Sequence, residues 1–113
     1  MYQERVVLCV SSAYEKRFYL NEDFMALPEQ IRQELQIMCV LFTEDVGGIL
    51  SLEFDQSGTL VLQTEANEDD ILYDDIGSVL KIKEIQRTRK ELLEALETYY
   101  KVFFLDEDPS NLL

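Results

Sequence analysis

The sequence contains no histidine. That single absence removes the commonest general base, the usual activator of a serine or cysteine nucleophile, and the commonest metal ligand. A Ser–His triad cannot be built from it. Two cysteines, Cys9 and Cys39, are too few for a disulfide framework, and without histidine they cannot complete a zinc site within one chain. Both lie in apolar runs, VVLCV and IMCVLF, where a reduced thiol packs as a small, inert hydrophobe. There are four glycines, of which only Gly47 and Gly48 are adjacent. They separate a helix-patterned segment from a strand-patterned one, whereas a phosphate-cradling loop runs from strand into helix. No apolar run approaches the roughly 18 residues of a membrane span. Val6 to Val10 is too short for the core of a signal peptide, so a cytoplasmic location is expected. Basic residues are also few, ten against 23 acidic, for a formal charge of −13. A chain so charged is repelled by nucleic-acid phosphates and by anionic membranes, so neither is expected as a partner.

What remains is enough for a fold. At 113 residues and 47% hydrophobic composition the chain makes one domain, placed at residues 1–105, with an acidic tail at 106–113 that contains Pro109 and is expected to fray. Residues 4–10 and 16–20 read as two strands of a hairpin closed by residues 11–15. Asn21 offers a cap for a short helical turn, and Pro28 opens a helix. There Ile31, Leu35, Met38 and Phe42 recur at four, three and four residues, with Val40 and Leu41 widening the stripe. Gly47 and Gly48 end it. Residues 49–54 and 59–64 alternate as strands around Asp55-Gln56-Ser57-Gly58, a turn sequence with aspartate first and glycine last. From Asn67 to about Leu105 the pattern is helical, with Gly77-Ser78 marking a break or bend. Ile82, Ile85, Leu92, Leu96, Tyr99 and Phe103 form its expected core stripe. The order ββαββα predicts an α+β fold: a four-stranded antiparallel sheet with two helices packed on one face.

Three groups of side chains could carry function. The first is acidic: Glu65, Glu68, Asp69, Asp70, Asp74 and Asp75. If this stretch is helical, Asp70 and Asp74 share a face and form a candidate site for a hard divalent cation, though the spacing is not that of an EF-hand. The plainer reading is a helix N-terminus favoured by negative charge. The second is basic: Lys81 to Lys90 holds five of the ten cations, and Lys83, Arg87 and Lys90 recur as a stripe. No aromatic residue is interleaved to stack bases. The stripe can form ion pairs within its helix, or meet the acidic 65–75 region of a second copy. The third is aromatic. With Tyr99 and Phe103 assigned to the core, Tyr100 and Phe104 lie about 100° round the helix. They are free either to contact a partner or to pack under the first hairpin.

The stretch IMCVLFTEDVGGILSLEF, with the closing ELLEALETYYKVFF, resembles a small bacterial family of uncharacterised acidic domains. The resemblance covers nearly the whole chain and implies no assigned activity and no catalytic residues. Three functions follow as expectations. The first is a non-enzymatic interaction or regulatory module, self-associating as a homodimer or binding another protein, with no cofactor. The second is a cation- or small-ligand-binding domain at Asp70 and Asp74. The third is an acidic inhibitor or antitoxin-like decoy of a basic partner. An enzyme is the least expected class, because without histidine it would rest on carboxylates, tyrosine or lysine with shifted pKa values.

Overall fold

The computed structural model describes residues 4–107, so all but the first two residues of the expected tail lie outside the described residues. Val6–Ser12 (β1) and Arg17–Leu20 (β2) form the opening hairpin, its loop shifted to residues 13–16. Glu22–Phe24 is a single 3-10 turn, capped by the Asn21 side chain accepting from the Asp23 N–H. Glu29–Val46 is α1, and Ile49–Phe54 (β3) and Leu60–Glu65 (β4) are the second hairpin. The remainder is two helices, Asp75–Thr88 (α2) and Lys90–Phe103 (α3).

The four strands form one antiparallel sheet in the order β2-β1-β3-β4. Alternation along β3 buries Leu50, Leu52 and Phe54 on one face. In β1 the register slips between Val7 and Cys9, a bulge at which Leu8 and Cys9 are both fully buried. The opposite face carries Val7, Val10 and Val61 among Ser51, Glu53, Gln63 and Glu65, as an antiparallel sheet with one solvated side does.

The covered face takes α1 across β1 and β3, and α3 against β4. The buried side of α1 is Leu35, Met38, Cys39, Phe42, Thr43 and Val46. Leu41, expected to widen that stripe, is instead 57% exposed. Helix and strand meet in matched pairs. Cys9 and Cys39 lie with their sulfurs 3.9 Å apart, and Ser11 and Thr43 share a buried hydroxyl hydrogen bond of 2.9 Å. Residues two apart on a strand thus face residues four apart on a helix. The contact with Cys39 and burial among apolar neighbours push the Cys9 thiol up, away from the reactive thiolate.

Three helices stand where two were expected. Asn67 to Asp74 is a set of turns rather than helix, and the long element breaks at Arg89 instead of Gly77. Asp74 explains the late start. Its side chain accepts from the Gly77 N–H at 2.8 Å, making it the N-cap and placing Gly77 inside the first turn. At the other end Thr88 turns its hydroxyl back onto the Glu84 carbonyl, at 2.8 Å. Arg89 then leaves helical geometry (φ −113°, ψ 25°), and the chain swings from α1 towards β4. The buried line of α3 is Leu92, Leu96 and Tyr100. Phe103, expected in the core, is 67% exposed. Tyr100 stacks on Phe54 with ring centroids 4.2 Å apart, and Phe24 joins the stack from the 3-10 turn. Glu97 adds a polar tie, accepting the Leu60 backbone N–H of β4 at 2.7 Å.

These positions give opposite expectations for two neighbouring aromatics. Tyr100→Ala is expected to lower unfolding free energy by about 3–4 kcal/mol, and Phe103→Ala by no more than about 0.5 kcal/mol. Urea titrations of the two variants measure this, and equal losses would mean that α3 is turned differently on the sheet.

Candidate functional site

The expected carboxylate pair is not a pair. Asp70 lies in the turns before α2 and Asp74 is the α2 cap, so they share no helix face. Both are engaged in holding backbone. One Asp70 oxygen accepts from the Tyr14 hydroxyl at 2.5 Å, and the other accepts from the Leu72 N–H at 3.0 Å. The Tyr14 oxygen in turn accepts from the Asn67 N–H at 3.0 Å. Among the described residues no three acidic or cysteine side chains converge as metal ligands.

The basic stripe is divided as well. Lys83 and Arg87 lie on α2, but Lys90 begins α3 and points its charge at Glu94, 3.9 Å away. Lys81 pairs with Asp45 of α1 at 2.7 Å and thereby ties α2 to that helix. Lys83 and Arg87 remain exposed, with no ion-pair partner among the described residues. Of the two aromatic candidates, Tyr100 is a core residue and no contact for a partner. Phe104 is 36% exposed but stacks on Phe24 at 4.8 Å, completing the aromatic cluster.

A cleft of about 690 Å³ opens between the first hairpin and α1, lined by Ser11, Ser12, Lys16, Arg17, Gln36 and Thr43. Its hydroxyls are already used. Ser11 and Thr43 bond each other, and Ser12 accepts the Glu15 N–H at 3.2 Å. No buried polar side-chain atom among the described residues lacks a partner, so the buried hydroxyls of the cleft are satisfied within the fold.

The feature that the charge patterns concealed is apolar. Within residues 71–80, Ile71, Leu72, Ile76, Val79 and Leu80 are 93%, 88%, 76%, 54% and 61% exposed. These residues begin inside the acidic cluster and run on beyond it into α2. The signal was present. Ile76, Leu80, Lys83 and Arg87 recur at four, three and four residues, on the side of α2 away from its buried Ser78 and Ile85.

The loop leading into this face is held firmly. Gly48 sits at φ +70°, and a Cβ there would lie 2.6 Å from the Tyr73 ring and 2.7 Å from the Glu65 carbonyl oxygen. Tyr73 therefore lies directly over the α1–β3 turn. It also donates to the buried Ser78 hydroxyl at 2.9 Å, while Asp74 N–H donates to the Val46 carbonyl at 3.2 Å. Ile71 and Leu72 stand between these anchors and the Tyr14–Asp70 bond.

A family model described as a family of unknown function, DUF6145, matches residues 5–108. The chain belongs to this family. No curated protein and no solved structure matches it. For this DUF6145 member the aliphatic face of α2 and the loop before it therefore stand on their own geometry. Among the described residues no helix is long and apolar enough to cross a membrane.

Two outcomes follow. Gly48→Ala is expected to destabilise the fold by about 2–4 kcal/mol, since it combines a left-handed backbone with a clash against a carbonyl oxygen. Thermal or urea unfolding measures this, and a neutral result would mean that Tyr73 is not seated on the turn. The second concerns pH. Donation to Asp70 raises the Tyr14 pKa above its ordinary 10.0. A raised pKa means that the folded state holds the proton while the unfolded state loses it, so this contribution is complete below pH 10 and lost above it. Burial also raises Tyr100, so Tyr14→Phe serves as the reference. The stability of the unaltered chain should fall more steeply above pH 10 than that of Tyr14→Phe; parallel curves would show that the Tyr14–Asp70 bond does not form in solution.

Proposed function

We propose that this chain is a protein-interaction module whose contact face is the aliphatic surface of residues 71–80. One observation carries the reading. Five aliphatic side chains, each more than half exposed, fall within ten residues whose backbone is fixed by Tyr73, Asp70 and Asp74. Large aliphatic side chains scattered singly over a surface need no explanation, but five exposed within one ten-residue segment do. Fully burying such a side chain is worth about 1.5–3 kcal/mol, and the fold recovers little of that from these five. A partner that covers them recovers it. The fixed loop adds to the effect, because a preorganised face loses little conformational freedom on binding. The surroundings favour a protein over a polyanion: Glu68, Asp69, Asp70, Asp74 and Asp75 border the aliphatic residues.

A photo-crosslinking amino acid in place of Leu80, expressed in the source organism, tests the reading. Gln63, exposed on the open side of the sheet, serves as the control position. A discrete crosslinked protein band from position 80 and none from position 63 is the expected result. If positions 72, 76 and 80 all give no discrete band, the 71–80 surface is not a contact face.

A further inference from the structure

We propose that the occupant of this face is a second copy of the same chain, docked with its α2 antiparallel to the first about a two-fold axis beside Val79 and Leu80. The proposal rests on the reading of residues 71–80 as a contact face and names its partner. It follows from the order of side chains along the outer side of α2. Acidic residues come first, Asp69 and Asp70 in the turns, Asp74 at the cap and Asp75 in the first turn of the helix. Ile76, Val79 and Leu80 follow, and Lys83 and Arg87, with Glu84 beside them, close the series. A two-fold axis reverses that order. The aliphatic residues of two copies then meet at the centre, and the acidic end of each meets the basic end of the other.

The spacing agrees with such a pairing. At the helical rise of about 1.5 Å per residue, Ile76 lies one turn before the axis and Lys83 one turn after it. The Lys83 stem then covers Ile76 of the partner subunit and its ammonium reaches Asp75 of the partner subunit. Arg87, a turn further on, faces the segment that ends at Asp74 of the partner subunit. Lys83 and Arg87 have no ion-pair partner within the described residues of their own chain, so pairing across the axis breaks nothing. Antiparallel helix dipoles add to the preference. A parallel pairing would set acid against acid and base against base. A uniformly basic partner would meet Lys83 and Arg87, and a uniformly acidic one would meet Asp74 and Asp75. The surface that answers both ends is the chain's own, turned round. The aliphatic residues supply the affinity, and the charges choose the orientation.

Only one pair of helices meets in this arrangement, so the interface is small and the expected dissociation constant is about 10 µM. Each copy carries −13, so the measurement belongs at about 0.15 M salt, where the Debye length is about 8 Å and long-range repulsion is screened.

The experiment is sedimentation velocity with light scattering on the full chain, from well below to well above about 10 µM. The unaltered chain should pass from monomer to dimer. Leu80→Glu should weaken the dimer at least tenfold, with an unchanged melting temperature because Leu80 is exposed. Asp75→Lys and Lys83→Asp should each weaken it, and the two together should restore it. Val79→Cys, beside the axis, should form a disulfide-linked dimer when oxidised with diamide, whatever the folding of the charge variants. A chain that stays monomeric throughout would overturn self-pairing, and the crosslinking at position 80 would then decide separately whether another protein uses the face. A dimer indifferent to Leu80→Glu would place the contact elsewhere. Loss in the double charge variant as deep as the two single losses combined would overturn the antiparallel arrangement.

Discussion

Two consecutive glycines set the geometry on which the rest of the molecule depends. Gly47 and Gly48, at φ +83° and +70°, carry the chain from the last turn of α1 into β3 with no other residue between. So short a turn forces α1 to lie back over the strand that follows it. Once that is fixed, the matched contacts with β1 follow, because Cys39 and Thr43 can reach only the strand positions beneath them. The same turn also receives a segment from further along the chain. Without side chains it admits the Tyr73 ring, and its Gly48 carbonyl accepts the Ala13 N–H at 2.9 Å. Hairpin loop, helix end and the segment before α2 therefore converge on one point. The position of the aliphatic face is a consequence of a backbone that only glycine can supply.

The sheet was legible in the sequence for reasons that are local. Alternation in ILSLEF and the Asp-to-Gly turn after Phe54 need no distant contact to be read, and the first hairpin missed only in its loop by about two residues. The helices were legible as a period but not as units. Their break at Arg89 carries neither glycine nor proline; it arises from the need of Ile85 to pack towards α1 while Leu92 and Leu96 pack towards the sheet. Within α3 two lines of apolar residues run side by side, and the sheet covers Leu92, Leu96 and Tyr100 while Phe103, in the last turn, is left exposed. The converse error occurred at Gly77. A glycine in helical pattern suggests a break, but here it admits the Asp74 carboxylate: a Cβ would lie 2.2 Å from its Oδ2.

The candidate site shows why charge is a poor guide when it is abundant. A dense acidic cluster attracts attention as chemistry, yet Asp70 and Asp74 spend their oxygens on the N–H groups of Leu72 and Gly77 and on the Tyr14 hydroxyl. In a chain with no histidine and with both thiols buried, carboxylates are the commonest polar side chains, and turns and caps draw on what is common. The informative residues were those out of keeping with their surroundings. Ile71 and Leu72 stand almost fully exposed amid aspartates, so they contribute nothing to the interior.

That contrast bears on why the face is built as it is. A chain carrying −13 is protected from indiscriminate association by its own field, which a weakly apolar surface alone would not overcome. Placing the exposed aliphatic residues beside acidic ones keeps that protection against most neighbours. In the proposed pairing, Lys83 and Arg87 at the far end of the same helix lift it for a partner that presents both signs in the reverse order. Affinity would then come from a few buried side chains, and selectivity from the penalty that every other charge arrangement meets. A surface of this kind can stay exposed in a concentrated solution of other proteins and still associate with one, which an aliphatic patch without flanking charge could not do.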